Sequence, residues 1–420
     1  MTCIALPCAL LLVAASIAVA QEPFARQAEA VPAPPLSRGL VDDPPGLARG
    51  LEWASGRFGL DQSGPLKPGF FVTSGKTVAG SGWLAAGAGY RRFVFGNRAF
   101  AEASAGQSLR LFKTLRARFE VPEITGGALS LGVQGLWQDL TQVSYFGTGP
   151  DSLDSMRSQY RVHYLDIAGY ATARAGQVVS IHATAGTLRD AHISSATGPF
   201  RRDLPDTRTL FPDEPALGAN AEPRFRHAGV AVVGDTRDHA GYPSRGGLYR
   251  VAWTTYWGPA DGILGFRRFE AEGLQFVPLA GEWWSAAVHG LGVFTGTSDG
   301  RYVPFYMMPS LGGQALRGYH AYRFHDRNLL LAALESRVRL TPHLDGAVFF
   351  DAGNVAPAAR DLNLDRRNWG FGLRLHTRSM TLARIDVARG DEGWRMLFNI
   401  SDPFRLSRVT RRVPPLPFNP

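Results

Sequence analysis

Apolar and polar residues alternate along most of this 420-residue chain, in short segments separated by clusters of turn-forming residues. In the segment 368–377, for example, Trp369 and Phe371 alternate with Asn368 and Gly370. A repeat of two places the apolar side chains on one face of a β-strand. The pattern therefore predicts an all-β chain with sixteen strands, at 69–75, 82–94, 99–107, 110–121, 128–146, 157–173, 178–193, 227–237, 247–258, 266–279, 283–296, 328–341, 344–355, 368–377, 381–389 and 394–404.

The connections between these segments favour a membrane barrel. An even number of antiparallel strands lets both ends of a closed sheet lie on the periplasmic side. If the connections after odd-numbered strands are extracellular, the long polar stretches at 147–156, 194–226 and 297–327 all lie outside. The tight turns at 174–176, 280–282 and 341–343 then lie inside, together with 235–246.

The two ends of the chain have their own patterns. Residues 1–20 are apolar and close on Ala18-Val19-Ala20, which is typical of a secretory signal peptide cleaved after Ala20. Both cysteines, Cys3 and Cys8, fall in this segment, so we expect no disulfide or thiol chemistry in the mature chain. Residues 21–68 are predicted to be a short Pro-rich periplasmic segment with one helix near 46–58, and residues 405–420 a basic, Pro-rich tail.

Composition agrees with an exported barrel. After residue 20 no stretch approaches 18 consecutive apolar residues, so the sequence predicts no transmembrane helix. The 48 glycines and 11% aromatic residues, at only 45% hydrophobic overall, suit strands that are apolar on alternate residues. A secreted β-sandwich or propeller would share the alternation, but it would not need sixteen strands. Together these observations favour an antiparallel transmembrane β-barrel over 69–404, located in the outer membrane.

The formal net charge of +9 favours anionic partners. A basic surface attracts anionic lipid head groups and lipopolysaccharide. Nucleic acid is not expected as a partner, because export removes the chain from the cytoplasm.

Two strings in the last third of the chain carry the candidate chemistry. The first, at 311–319, reads Leu-Gly-Gly-Gln-Ala-Leu-Arg-Gly-Tyr, a glycine-bracketed loop with one arginine, Arg317. The second, at 349–355, reads Phe-Phe-Asp-Ala-Gly-Asn-Val, a strand with one carboxylate, Asp351, and Glu335 lies on the strand between them. A guanidinium group that faces two carboxylates makes charge-assisted, directional hydrogen bonds. We therefore predict a clamp between the loop and the strands.

Together these strings resemble the sixth extracellular loop and its receiving strands in the BamA/TamA-like barrels, an outer-membrane assembly factor superfamily also called bacterial surface antigens. The resemblance implies that Arg317, which is followed by Gly318 and Tyr319, folds into the lumen and pairs with Asp351. It also implies that Glu335 supports the same site. Strand parity points five further charged residues into the same lumen, namely Arg337, Arg339, Arg374, Arg384 and Asp386.

The resemblance implies a Gram-negative barrel that inserts or translocates a client protein or lipid, with a weak seam between its first and last strands. Members of this superfamily typically carry periplasmic POTRA domains ahead of the barrel. The 48 residues of 21–68 fall below the roughly 50 residues of an independent domain, so we expect none here and a periplasmic partner becomes a candidate. The alternative is a passive channel or structural barrel whose lumen arginines favour anions.

Enzyme motifs are poorly represented. The chain has no His-Glu-x-x-His and no cysteine cluster, so we expect no metal site and no cofactor. The pattern Gly-x-Ser-x-Gly occurs once, at 296–300, but it opens a predicted loop and not the strand-to-helix turn of a nucleophile elbow. We therefore expect no catalytic residue.

Overall fold

A computed structural model describes residues 39–47, 49–51, 68–75, 85–199, 203–214, 224–239, 241–258, 263–281, 283–377 and 381–399. The predicted signal peptide, most of the segment 21–68, the end of the last predicted strand and the tail 405–420 lie outside these ranges.

The described residues form one sixteen-stranded antiparallel sheet and a separate two-stranded ribbon. In the large sheet each strand pairs with the next one along the chain, apart from the step over the ribbon. The strands are β1 (Gly69–Gly75), β2 (Ala85–Val94), β3 (Ala99–Ser108), β4 (Lys113–Ile124), β5 (Leu129–Tyr145), β6 (Ser158–Ala175), β7 (Val179–Ser195), β8 (Phe225–Asp235), β9 (Gly246–Trp257), β10 (Gly265–Ala280), β11 (Trp284–Gly296), β12 (Ser310–Leu311), β13 (Phe324–His325), β14 (Asn328–Thr341), β15 (Leu344–Ala356), β16 (Arg366–His376), β17 (Thr381–Gly390) and β18 (Gly393–Asn399), with β12 and β13 as the ribbon.

Helices among the described residues are short. The elements Asp154–Met156, Thr207–Leu210, Phe305–Met307 and Ala359–Asp361 have three or four residues each. No helix in the described ranges is long and apolar enough to cross a membrane. The sixteen predicted segments correspond one to one with the strands of the large sheet, so the predicted all-β, sixteen-stranded fold is confirmed.

The two faces of the sheet differ as a membrane barrel requires. On β16, Trp369, Phe371 and Leu373 are about half exposed, at 52%, 51% and 46%. Asn368 and Arg374, on the opposite face, are buried at 2% and 1% exposure. A contiguous apolar surface of this kind is unfavourable in water and favourable against lipid acyl chains. The polar face therefore lines the lumen.

The long connection between β11 and β14 folds into the lumen. Its residues Phe305 and Tyr322 join a large buried apolar cluster that contains inward residues of β5 to β10. The Phe305 ring lies 4.8 Å from that of Tyr145 and 5.1 Å from that of Tyr160, between ring centroids. Side chains of this connection thus occupy the lumen beside β5 to β10.

Arg323 ties this connection to two other loops. Its Nη1 donates to Ser152 Oγ at 2.8 Å and its Nη2 to the Ser152 carbonyl at 2.7 Å, while its Nε donates to Glu392 Oε1 at 2.5 Å. Ser152 lies in the connection between β5 and β6, and Glu392 in the turn between β17 and β18. These loops therefore meet at one end of the barrel, as predicted for the extracellular side.

The N-terminal residues 39–43 lie at the opposite end, against β14 and the turn that follows it. The backbone N–H groups of Leu40 and Val41 donate to the carbonyls of Arg339 and Leu340, at 3.2 and 2.9 Å. Residues 47 and 49–51 are helical, in the first part of the predicted helix near 46–58, whose remainder lies outside the described residues.

Asp43 and His343 make the polar contact of this N-terminal segment. Asp43 Oδ2 lies 2.6 Å from His343 Nδ1. Burial favours the protonated acid, but hydrogen bonds from Thr341 and His343 hold the pKa of Asp43 below its usual value.

Candidate functional site

The loop that carries Arg317 depends on two adjacent glycines. Gly312 and Gly313 have φ of +125° and +63°, the region that favours glycine. A Cβ on Gly312 would lie 1.9 Å from the carbonyl oxygen of His320, so no side chain fits. The Gly313 N–H donates to the Tyr319 carbonyl at 3.1 Å, which closes a compact turn around Arg317. This turn projects the arginine toward β14 and β15.

Arg317 makes a bidentate pair with Asp351. Its Nε donates to Oδ2 at 2.9 Å and its Nη2 to Oδ1 at 2.6 Å, and its backbone N–H donates to Oδ2 at 3.2 Å. The remaining Nη1 donates to Glu335 Oε2 at 2.5 Å. All three side chains are at most 1% exposed. The structure thus brings together the arginine and both carboxylates that the sequence singled out.

Strand register places these partners around the guanidinium group. Glu335 pairs with Phe349 across β14 and β15, and Asp351 pairs with Asn368 across β15 and β16. The guanidinium carbon lies 3.4 Å from the centroid of the Phe349 ring, a cation–π contact. Asn368 Nδ2 donates to Asp351 Oδ2 at 2.9 Å. Sequence reasoning missed Phe349 and Asn368 as site residues, although both share the inward parity of Asp351.

Glycine makes room for this arrangement at Gly370, which pairs with Phe349 across β15 and β16. A Cβ there would lie 2.5 Å from the Phe349 ring and 2.3 Å from the Val387 carbonyl oxygen. The ring beneath Arg317 therefore requires glycine at position 370.

Gly318 and Tyr319 seat the loop against β16 and β17. A Cβ on Gly318 would lie 2.5 Å from the Cβ of Asn368 and 2.9 Å from the backbone nitrogen of Gly390. The Tyr319 hydroxyl donates to Asp391 Oδ2 at 2.9 Å. The close approach of the loop to the end of β17 therefore depends on two facing glycines, Gly318 and Gly390.

Glu335 is shared by three arginines. Besides Arg317, it accepts hydrogen bonds from Arg337 Nε at 2.8 Å and from Arg374 Nη2 at 3.0 Å. Arg374 Nη1 also lies 2.6 Å from Asp386 Oδ1, and Asp386 Oδ2 lies 3.1 Å from Arg384 Nη1. Four of the five other predicted lumen charges therefore belong to one buried ion-pair network with Arg317.

Arg339, the fifth, lies apart from this network, nearer the periplasmic end. Its Nη2 donates to the Tyr242 hydroxyl at 3.0 Å, and that hydroxyl donates to Asp345 Oδ2 at 2.5 Å. His376 stacks on the Tyr242 ring at 3.9 Å between centroids and has its Nε2 3.2 Å from Asp345 Oδ1. This second group sits near the contact between Asp43 and His343.

The site's chemistry is that of a structural lock. Its charged groups bind one another, and the described residues contain no group of three or more His, Cys, Asp and Glu side chains that could hold a metal ion. What the arrangement can do is hold the loop against β14 to β17 inside the lumen.

Comparison with known proteins agrees with this architecture. The family model for the Omp85 superfamily domain matches residues 94–404. A search of curated protein sequences finds no match.

Among solved structures, BamA from Haemophilus ducreyi lacking POTRA domains 1–3 is similar at a TM-score of 0.60 and 14% identity, over 80% of this chain and 70% of that one. CdiB from Escherichia coli is similar at a TM-score of 0.54 and 11% identity, over 80% of this chain and 63% of that one. The chain thus spans about two thirds of the length of these structures. At such identities the likeness concerns the fold.

Proposed function

The chain belongs to the Omp85 superfamily of outer-membrane β-barrels, a family of assembly and translocation proteins, and from that premise we propose that it inserts or translocates a client protein or lipid. The observation that carries the proposal is the pairing of Arg317 with Asp351 and Glu335. This pairing fixes a long loop to the strands that lead to the end of the sheet.

The two terminal strands supply a place for a client to enter. β1 and β18 stand at the two ends of the strand order. A strand at the end of a sheet presents backbone N–H and C=O groups that an incoming strand can pair with by β-augmentation. A seam between β1 and β18 is therefore the proposed site of client handling.

The clamp and the seam lie close together in the fold. Tyr319 donates to Asp391 in the turn that joins β17 to β18, and Gly318 contacts Gly390 at the end of β17. Through these contacts the loop restrains the hairpin that ends in β18. We propose that the clamp holds this hairpin in register while β18 exchanges partners.

The alternative function is a passive channel that favours anions. It depends on lumen arginines that are available to solutes, but Arg337, Arg374 and Arg384 are at most 4% exposed and pair with carboxylates. The apolar cluster around Phe305 also occupies the lumen beside β5 to β10. Both observations favour client handling over conduction.

Locking the seam tests the proposal. Cysteine pairs would be introduced on the outward faces of β1 and β18, beginning with Val72 and Met396, in the full-length protein reconstituted into liposomes. Val251→Cys with Ala271→Cys gives the matched control, because these residues are cross-strand partners on β9 and β10, far from the seam in the strand order. An oxidised seam pair should block the folding of an added unfolded barrel protein into the liposomes, and reductant should restore it.

Two outcomes would count against the proposal. One is client folding at the same rate with the seam locked and unlocked. The other is anion flux through the untreated protein without any acceleration of client folding, which would favour the channel.

A further inference from the structure

A second charged site lies on the lipid side of the barrel, away from the lumen. Lys113, Asp139, His163 and His192 are cross-strand neighbours on β4, β5, β6 and β7. We call these four residues the basic row. The adjacent residues Gln138 and Tyr164 hydrogen-bond to each other on the lumen side. Since successive side chains alternate between faces, the basic row points outward.

The balance of charge around the basic row is positive. Arg161 neutralises Asp139 through two hydrogen bonds, from Nε at 2.7 Å and from Nη2 at 2.9 Å. Lys113 and Arg189 are exposed, and neither has an ion-pair partner among the described residues. Asp190, the acid that follows Arg189 on β7, is half-buried.

The two imidazoles of the basic row add hydrogen-bonding groups to these cations. The His163 and His192 rings lie 5.2 Å apart between centroids. Lys113, the two imidazoles and Arg189 thus span β4 to β7 on one face of the sheet.

The surface directly below the basic row is apolar. The next outward row is formed by Leu115, Trp137 and Leu165, with Arg189 at its end. Toward the periplasm the outward side chains of Ile167 and Ile181 are 41% and 44% exposed. The basic row therefore lies where the acyl-chain region ends, at the level of the head groups of the outer leaflet.

We propose that the basic row, with Arg189, binds the phosphate of a phosphorylated glycolipid in the outer leaflet. An ammonium, a guanidinium and two imidazoles offer several hydrogen-bond donors to phosphate oxygens. The acyl chains of the same lipid would pack on Leu115, Trp137 and Ile167. This continuous apolar surface points to a lipid and not to a free anion as the occupant. The proposal is independent of the client-handling function.

The test compares two lipids and two variants of the full-length protein in detergent micelles. The probe is lipid A with its two phosphates, and the reference is the same lipid after enzymatic removal of the phosphates, with binding measured by native mass spectrometry. The test variant is Lys113→Gln with Arg189→Gln. The control is Arg92→Gln, because Arg92 is also exposed and outward but lies near the periplasmic end of β2. Retention of the barrel is checked by its mobility in SDS without boiling.

The double variant should bind phosphorylated lipid A about 30-fold more weakly, which corresponds to about 2 kcal/mol for two cations at a lipid surface. The control should bind as the parent protein does, and the dephosphorylated lipid should bind weakly to all three proteins. Equal binding of the two lipids by the parent protein would overturn the proposal even if the double variant failed to fold. Equal losses in the control and the double variant, or complete displacement of the lipid by inorganic phosphate, would also overturn it.

Discussion

Replacing Arg317 by alanine should release the loop while leaving the barrel assembled. The substitution strands Asp351, which keeps only Asn368 and the backbone N–H at position 317 as donors. Glu335 is less affected, since Arg337 and Arg374 remain paired with it. The substitution therefore mainly removes the charge compensation of one buried carboxylate, that of Asp351.

The free-energy cost of Arg317→Ala follows from the Asp351 carboxylate, which stays buried without its arginine partner. Removing one partner of a buried pair typically costs about 3–5 kcal/mol. The ladders of the sixteen strands do not depend on Arg317, so this free energy acts on the docking of the loop. Even the lower value shifts the ratio of docked to undocked loop by about 100-fold.

Trypsin digestion of the purified protein measures this shift. Arg323, in the same loop, is 4% exposed and paired with Glu392, so it is cleaved only when the loop leaves the lumen. Arg360 has a side chain that is 88% exposed and serves as an internal reference. When opening and closing are faster than cleavage, the cleavage rate follows the open population. We expect cleavage at Arg323, relative to Arg360, to rise about 100-fold in Arg317→Ala.

Two further variants separate the clamp from a general loss of stability. Adding Asp351→Asn to Arg317→Ala removes the stranded charge and should recover part of the protection of Arg323. Arg317→Lys keeps the charge but not the bidentate fork, so it should lie between the parent and Arg317→Ala. Unchanged cleavage in Arg317→Ala, or additive losses in the double variant, would refute the reasoning.

Three other predictions follow from the same structure. Glu335→Ala removes the carboxylate that three buried arginines share, which leaves an excess of buried positive charge, and it should lower the unfolding temperature of the barrel in detergent more than Arg317→Ala does. Gly318→Ala places a methyl group 2.5 Å from Asn368 Cβ and should raise loop cleavage by trypsin with Arg317 intact. The lowered pKa of Asp43 means that its contact with His343 stabilises docking of the N-terminal segment above the ordinary carboxyl pKa of about 3.9 and is lost as the pH falls below it. The protection factors of the amides of residues 39–43, which correct for the slower intrinsic hydrogen exchange in acid, should therefore be lower at pH 3 than at pH 6, and Asp43→Asn should remove that difference.

Strand positions could be predicted from the sequence because the two faces of each strand meet different environments. On β16 and β17 the alternation of apolar and polar residues fixes both the parity and the number of inward side chains. Strand ends were less well predicted, as at Lys113, where β4 begins three residues later than expected. There the turn, and not the alternation, decides where pairing starts.

The candidate site was predictable only in part. Glu335 and Asp351 could be named because a charge at an inward position of a barrel needs a partner, and Arg317 because its glycine-bracketed loop resembles the sixth extracellular loop of the BamA/TamA-like barrels. The sharing of Glu335 by three arginines depends on register across β14, β15 and β16, which alternation does not determine. For the same reason the pairing of the lumen arginines could not be foreseen, although it decides whether they are available to solutes.

The position of the clamp in the chain also sets an order of assembly. Arg317 closes on Asp351, which lies 34 residues downstream, and Gly318 packs on Gly390, 72 residues downstream. The backbone ladders of the large sheet join strands that follow each other in the chain, apart from the step over the ribbon, so hairpins can form early from local segments. The loop that carries Arg317, by contrast, can dock only after β15, β16 and β17 have paired. Burial of Arg317 is therefore a late folding event, and it reports that the C-terminal hairpins have formed.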